Sequence, residues 1–362
     1  MIAYRAQKGC MSEQTLPPHH DPAAAPDAAP LAPRVRPETL SGNAAAFLTA
    51  VALVAIIVFG AFLRFSHNNW DQSGSGPGAH SAHLHPDERF HTQISVDTKA
   101  PSGILNYFDT ETSKLNPYNI DKGNGSKQTT FVYGTLPLFL NKFAAANYGK
   151  LTLGFAGDRD SYDEYQLSGR ALAAFFDVGT ILLIFLIGWR LANRPVALMA
   201  AFLYAFSAFP IQNAHFFIVD PFVTFFATFT IYFAIRSAQS GGYRNFALAG
   251  LGAGLSTACK TTAISLVPVV LLGVGVFAWP AIRPYLLPLW SGRGDDGESE
   301  RDGPRLDAAV ITLVAGSAVA LVAAFVAYRV AMPYAFNSPS LGDWFAFRGG
   351  HAFLTVVGHD HL

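Results

Sequence analysis

An all-α integral membrane protein, crossing the bilayer about seven times, is the fold this sequence predicts, on three observations. Only 14% of its 362 residues are charged and 51% are hydrophobic, whereas a soluble domain carries roughly a quarter charged residues. Long apolar runs recur along the chain. Arg residues gather in alternate connections between those runs.

Residues 1–43 stand outside the pattern. "PPHHDPAAAPDAAPLAPRVRP" is rich in Pro and Ala with little to bury, which predicts a disordered tail. The run Ala44 to Leu63 then holds twenty residues and no charge. At 1.5 Å per residue it matches a hydrocarbon core about 30 Å thick, and it is too long for a signal-peptide apolar region. Further spans are expected at about 171–189, 195–211, 216–235, 246–259, 263–282 and 308–328. The 246–259 run is short, but its "LAGLGAGLSTA" suits close helix packing. Segment 131–149 is apolar too. Asn141 and Lys142 interrupt it, and Gly134 with Pro137 weakens its first turns, so an amphipathic helix at the interface is expected there.

Charge sets the orientation. One group of short connections holds Arg190 and Arg194, then Arg236 and Arg244, then Arg283, Arg293, Arg301 and Arg305; the N-terminal tail adds Arg5, Lys8, Arg34 and Arg36. The opposite group holds nothing at 212–215 and Lys260 alone at 259–262. This bias predicts a cytoplasmic N-terminus, an extracytoplasmic loop over 64–168 and an extracytoplasmic tail over 341–362. Acidic and basic residues balance at 25 each, which argues against a nucleic-acid partner. Cys10 and Cys259 sit in unrelated contexts, so no disulfide framework is expected.

The polar exceptions concentrate on the outer side. "LHPDERFH" (84–91) places Asp87 and Glu88 in the long loop. One carboxylate there can act as a general base for an acceptor hydroxyl, while its neighbour, pointing elsewhere, positions or holds an ion. A bare DE pair is more often a solvated loop feature; its setting after a first span sharpens it. His80, His83, His85 and His91 surround the acids. Imidazole with carboxylate suits zinc or manganese, although the spacing matches no tight ligand pattern. Asp220, ahead of Pro221, either steadies a helix N-terminus or faces the same site. Lys260, among Ser256, Thr257, Thr261 and Thr262, is a headgroup anchor or a cation for a phosphate. Asp177, inside a span, is expected to pair with Arg170 or a neighbouring helix. "NGS" at 124–126 fits a glycosylation sequon, and 291–305 reads as a cytoplasmic linker.

The combination of a first span, "LHPDERFH", "LNPYN", "FVYGTLPLFL" and the stretch from Gly169 to Asp220 resembles the GT-C membrane glycosyltransferases. Within them it is similar to family 39 and the protein O-mannosyltransferases, over about 44–340. The resemblance implies a GT-C-type bundle in the plasma (inner) membrane with juxtamembrane helices in its outer loop. It implies an inverting sugar transfer from a polyprenyl-phosphate carrier to a lipid, glycan or protein acceptor. Asp87 is then the base with Glu88 beside it; His85, Arg89, Tyr133, Arg170, Asp220 and Lys260 are substrate contacts. Lys260 would hold the carrier phosphate and "YGTLPL" would line the acceptor cavity. No resident cofactor is implied beyond a divalent ion. Two other classes compete. One is a transporter or channel with Asp177, Asp220 and Lys260 along an ion path. The other is a truncated, non-catalytic lipid-binding subunit, because the chain ends soon after its seventh span whereas the family usually continues.

Overall fold

The computed structural model describes residues 43–73, 80–82, 84–121, 127–128, 131–151, 162–291 and 303–336. The tail 1–42 with Cys10, His83, the sequon, most of the 291–305 linker and the segment 337–362 lie outside the described residues. Helix dominates: the described strands are β1 (Gln72–Ser73) and β2 (His80–Ser81), one antiparallel ladder of two residues each.

Helix α1 (Asn43–Phe65) is aliphatic all round, and only 6% of its apolar window is buried by protein. Phe47, Leu48, Val51, Val54, Val58 and Phe62 are exposed, so lipid is their solvent. Helices α2 (Pro86–Asp97), α3 (Ile104–Tyr107) and α4 (Leu136–Leu151) follow in the loop between α1 and α5. Then come α5 (Tyr162–Leu191), α6 (Arg194–Ala205), α7 (Ala208–Ala214), α8 (Asp220–Ser240), α9 (Tyr243–Cys259), α10 (Leu266–Ser291) and α11 (Gly303–Ala331).

Among the described residues five helices are long and apolar enough to cross a membrane: α1, α5, α8, α11 and α10 with the short turn before it. The pair α6–α7, bent by 55°, passes the same test when taken together, as a broken span or a re-entrant loop. The protein is therefore multi-pass. The remaining expected span, 246–259, is α9, whose 17 residues fall short of that length. At 1.5 Å per residue it runs about 25 Å, and it needs little hydropathy because helices rather than lipid surround it. A Cβ on Gly250 or Gly254 would land on the carbonyl oxygen of Ala320 or Ala324 of α11. Small residues one turn apart thus let the two backbones touch. On another face, Phe246, Ala249 and Ala253 pack with Leu183, Val270 and Val274.

The break between α6 and α7 leaves the Ala205 carbonyl without a helical partner and the Tyr204 carbonyl with a turn bond from the Ser207 amide (3.2 Å). Arg64, fully buried at the end of α1, donates to both, at 3.4 and 2.8 Å. Its Nε also donates to Asp177, which accepts the Tyr204 hydroxyl as well. Asp177 therefore pairs with α1, not with Arg170, and one buried network joins α1, α5 and α6.

Helix α4 is absent from the set able to cross. The residues that interrupt its apolarity are the ones that dock it. Asn141 donates to the Tyr165 carbonyl (2.9 Å) and Lys142 to that of Ser95 (3.0 Å). The end of α11 secures the rest of the loop: Tyr107 donates to the Val330 carbonyl (2.6 Å), Thr135 to that of Ala331 (2.7 Å) and Thr110 to that of Phe336 (2.7 Å).

Candidate active site

Pro86 opens α2 at its first position, where the missing N–H costs nothing, so Asp87 and Glu88 both fall in the first turn. Adjacent helical residues diverge by about 100°, and the two acids meet different surroundings. Glu88 turns inward and is fully buried. Its Oε1 accepts from Arg170 Nε (2.7 Å) and the Phe217 amide (2.8 Å); its Oε2 accepts from Arg170 Nη2 (2.8 Å) and Gln166 Nε2 (2.9 Å). Arg170 spends its remaining donors on the Asn68 carbonyl (2.6 Å) and on both oxygens of buried Asp71 (2.8 and 3.0 Å). All five guanidinium donors are thus engaged.

In this arrangement the Glu88 carboxylate and the Arg170 guanidinium are fully occupied by protein groups, and together they fasten the loop between α1 and α5 to α5. Asp71 and Gln166 were not anticipated. Gln166 lies four positions before Arg170 on a helix face, a polar spacing that could have been noticed. Asp71 sits ahead of a Gly/Ser-rich stretch and carries no such signal.

Asp87 is half-buried and has no hydrogen-bond partner among the described residues. His85, just before it, packs its ring on Phe216 (4.7 Å), which meets Trp70 edge-on (5.7 Å). Arg89 is exposed. Tyr133 is half-buried and stacks at 4.5 Å on His91, one turn beyond Asp87. His91 is fully buried, and loss of solvent lowers its pKa from 6.5 to about 3.

Asp220 and Lys260 meet. Lys260 Nζ lies 3.3 Å from Asp220 Oδ1, and both side chains stay more than 40% exposed. Lys260 follows Cys259, whose carbonyl accepts the Gly134 amide (2.9 Å). A Cβ on Gly134 would overlap the Ala258 carbonyl, so glycine is needed for that approach. The contacts close a circuit. Glu88 on α2 holds Phe217; three residues on, Asp220 holds Lys260; the residue before Lys260 holds Gly134; and Tyr133, before Gly134, packs back on α2 at His91.

The circuit brings together α2, the start of α8, the end of α9 and the approach to α4. Of the sequence candidates, Asp87, His85, Tyr133, Asp220 and Lys260 border it. Among the described residues no three His, Cys, Asp or Glu side chains converge as metal ligands. His80's side chain and His83 lie outside them.

Residues 163–286 match the family model described as dolichyl-phosphate-mannose-protein mannosyltransferase. The match likens this part of the chain to that family. It takes in about a third of the chain, from the start of α5 into α10, with Arg170, Asp220 and Lys260 inside it and α2 outside. A search of curated proteins finds no match. A similar solved structure is the S. cerevisiae protein O-mannosyltransferase Pmt1-Pmt2 complex bound to the sugar donor, at 15% identity and a TM-score of 0.48. The alignment covers 80% of this chain and 35% of that one, so this chain spans about a third of that relative's length.

Proposed function

We propose that this chain moves a sugar from a polyprenyl-phosphate carrier to an acceptor hydroxyl at the extracytoplasmic face of the plasma membrane, with inversion. The observation that carries the reading is Asp87: a half-buried carboxylate without a hydrogen-bond partner among the described residues, one residue from a saturated network and on the same circuit as a half-exposed lysine. Asp87 accepts the acceptor's proton as the hydroxyl oxygen bonds to the sugar's C1. The bond from C1 to the phosphate oxygen breaks, and the phosphate leaves with added negative charge. Lys260, loosely held by Asp220, stabilises that charge at a water-poor edge. General-base help of this kind contributes about 10²–10⁴-fold.

The outward orientation rests on the arginines. Arg190, Arg194, Arg236 and Arg244 occupy the ends of α5, α6, α8 and α9 opposite the circuit. The transport reading loses its motive, because Asp177 is engaged by Arg64 and Tyr204 rather than lining a path. Mannose is the first sugar to test, from the matched family's description.

The experiment is transfer of radiolabelled sugar from polyprenyl phosphates in membranes holding the chain or its Asp87→Asn variant, with and without chelator. Turnover that falls about 10²–10⁴-fold in the variant supports the base. Equal turnover in both would remove Asp87 from the chemistry, and a chelator-sensitive rate would bring in the divalent ion.

A further inference from the structure

Among the polar residues at the circuit that the scheme above leaves unused is His91. His91 follows Asp87 by four positions on α2, so the two side chains rise from one face of the helix. It is fully buried, and neither Nδ1 nor Nε2 has a hydrogen-bond partner among the described residues. Aromatic rings surround it: Tyr133 at 4.5 Å, Phe217 at 5.6 Å, Phe90 and Phe131 at 6.3 Å. Buried polar groups in folded proteins nearly always find partners, and an orphan calls for an explanation. A neutral imidazole offers one N–H donor and one acceptor lone pair whichever tautomer it adopts.

The surroundings narrow what would use them. No charged side chain touches the ring among its recorded neighbours, so an ionic guest has nothing to pair with there. A hydroxyl both donates and accepts. Half-buried Tyr133 is the ring that leads from the surface to His91, and it is joined through Gly134 to the residue before Lys260. With its phosphate at Lys260 and its C1 toward Asp87, as proposed above, a donor would set its sugar beside this aromatic lining. A pyranose suits the lining, with C–H faces for aromatic rings and hydroxyls for the imidazole.

We propose that His91 is a contact for the transferred sugar, hydrogen-bonding one ring hydroxyl that reaches it past Tyr133. The assignment rests on the polyprenyl-phosphate reading and deepens it by giving the sugar its subsite.

The test uses the full chain in proteoliposomes with polyprenyl-phosphate mannose and analogues that lack one ring hydroxyl each. Compared are the wild type, His91→Phe, which fills the cage without polar atoms, and His91→Gln, which restores a donor and an acceptor. Expected for His91→Phe is an unchanged or higher melting temperature with kcat/KM lower by about tenfold, the worth of one hydrogen bond. His91→Gln regains part of the loss. One deoxy donor is about tenfold poorer for the wild type and no poorer for His91→Phe than the intact sugar. Undiminished transfer by a folded His91→Phe, or a loss equal across every donor, would overturn the assignment while leaving the transferase standing. A wild type that turns over no polyprenyl-phosphate sugar would overturn the transferase reading and the assignment together.

Discussion

Two acid–base groups stand on the same circuit, and they differ in how many of their hydrogen bonds are already made. In the Asp71–Arg170–Glu88 group every side chain is buried, and every guanidinium donor has an acceptor. In the Asp220–Lys260 pair one contact of 3.3 Å joins two side chains that remain more than 40% exposed. The first cannot receive a ligand without being dismantled. The second can exchange its single contact for a phosphate at small cost, since exposed pairs are worth about 0–1 kcal/mol. Charge alone therefore does not mark a binding residue; spare hydrogen-bonding capacity does. Asp87 and Glu88 repeat the contrast in adjacent positions.

The strongest way to break this contrast is Arg170→Ala. It strands two buried carboxylates, and losing one partner of a buried pair costs about 3–5 kcal/mol. The expected result is little monodisperse protein on size-exclusion chromatography. A folded Arg170→Ala with only a raised KM would make Arg170 a substrate contact after all. Lys260→Gln is the converse case. Its melting temperature should hold, while kcat/KM for the donor falls about tenfold or more, as expected for a charge-assisted hydrogen bond that strengthens as the phosphate leaves; an unchanged kcat/KM in the folded variant would remove Lys260 from the phosphate.

A smaller effect separates burial from pairing through pH. Burial holds His91 down at about 3, whereas the unfolded imidazole titrates near 6.5. Below 6.5 the unfolded chain takes up a proton that the folded one refuses, so stability falls as pH drops from about 6.5 toward about 3. Melting temperatures of the wild type and His91→Phe should diverge over that range and run parallel above pH 7. The smallest effect belongs to Asp220→Asn, with under about 1 kcal/mol lost. If its KM for donor falls slightly, through release of Lys260, the exchange described above is supported; an unfolded Asp220→Asn would contradict it.

Much of the bundle was legible because hydropathy reports on lipid. The runs that became α1, α5, α8, α10 and α11 were readable for that reason. Helix α9 was the weakest of them, since a helix packed by glycines against α11 is selected for closeness rather than apolarity. The break in 195–211 escaped notice, although Ser207 ahead of Pro210 is a signal for a helix restart. At the site, sequence located the acidic pair but not its division of labour. Which acid turns inward depends on Arg170, 82 residues away, and on Asp71, 99 residues from Arg170. Local spacing carries no information at that range. The Asp220–Lys260 contact, across 40 residues, was missed for the same reason, although both residues were singled out.

The capped break at Tyr204 and Ala205 also has a consequence for how the chain is made. Arg64 precedes Asp177 by 113 residues. At about 5–20 residues per second, the ribosome takes on the order of ten seconds to deliver the counter-charge. Through that interval α1 is in place with a guanidinium at one end and nothing to neutralise it. Assembly of α5 and α6 then draws that group inward and closes the kink over it. Docking of the first helix is thus complete only once the fifth and sixth helices of the polypeptide have arrived.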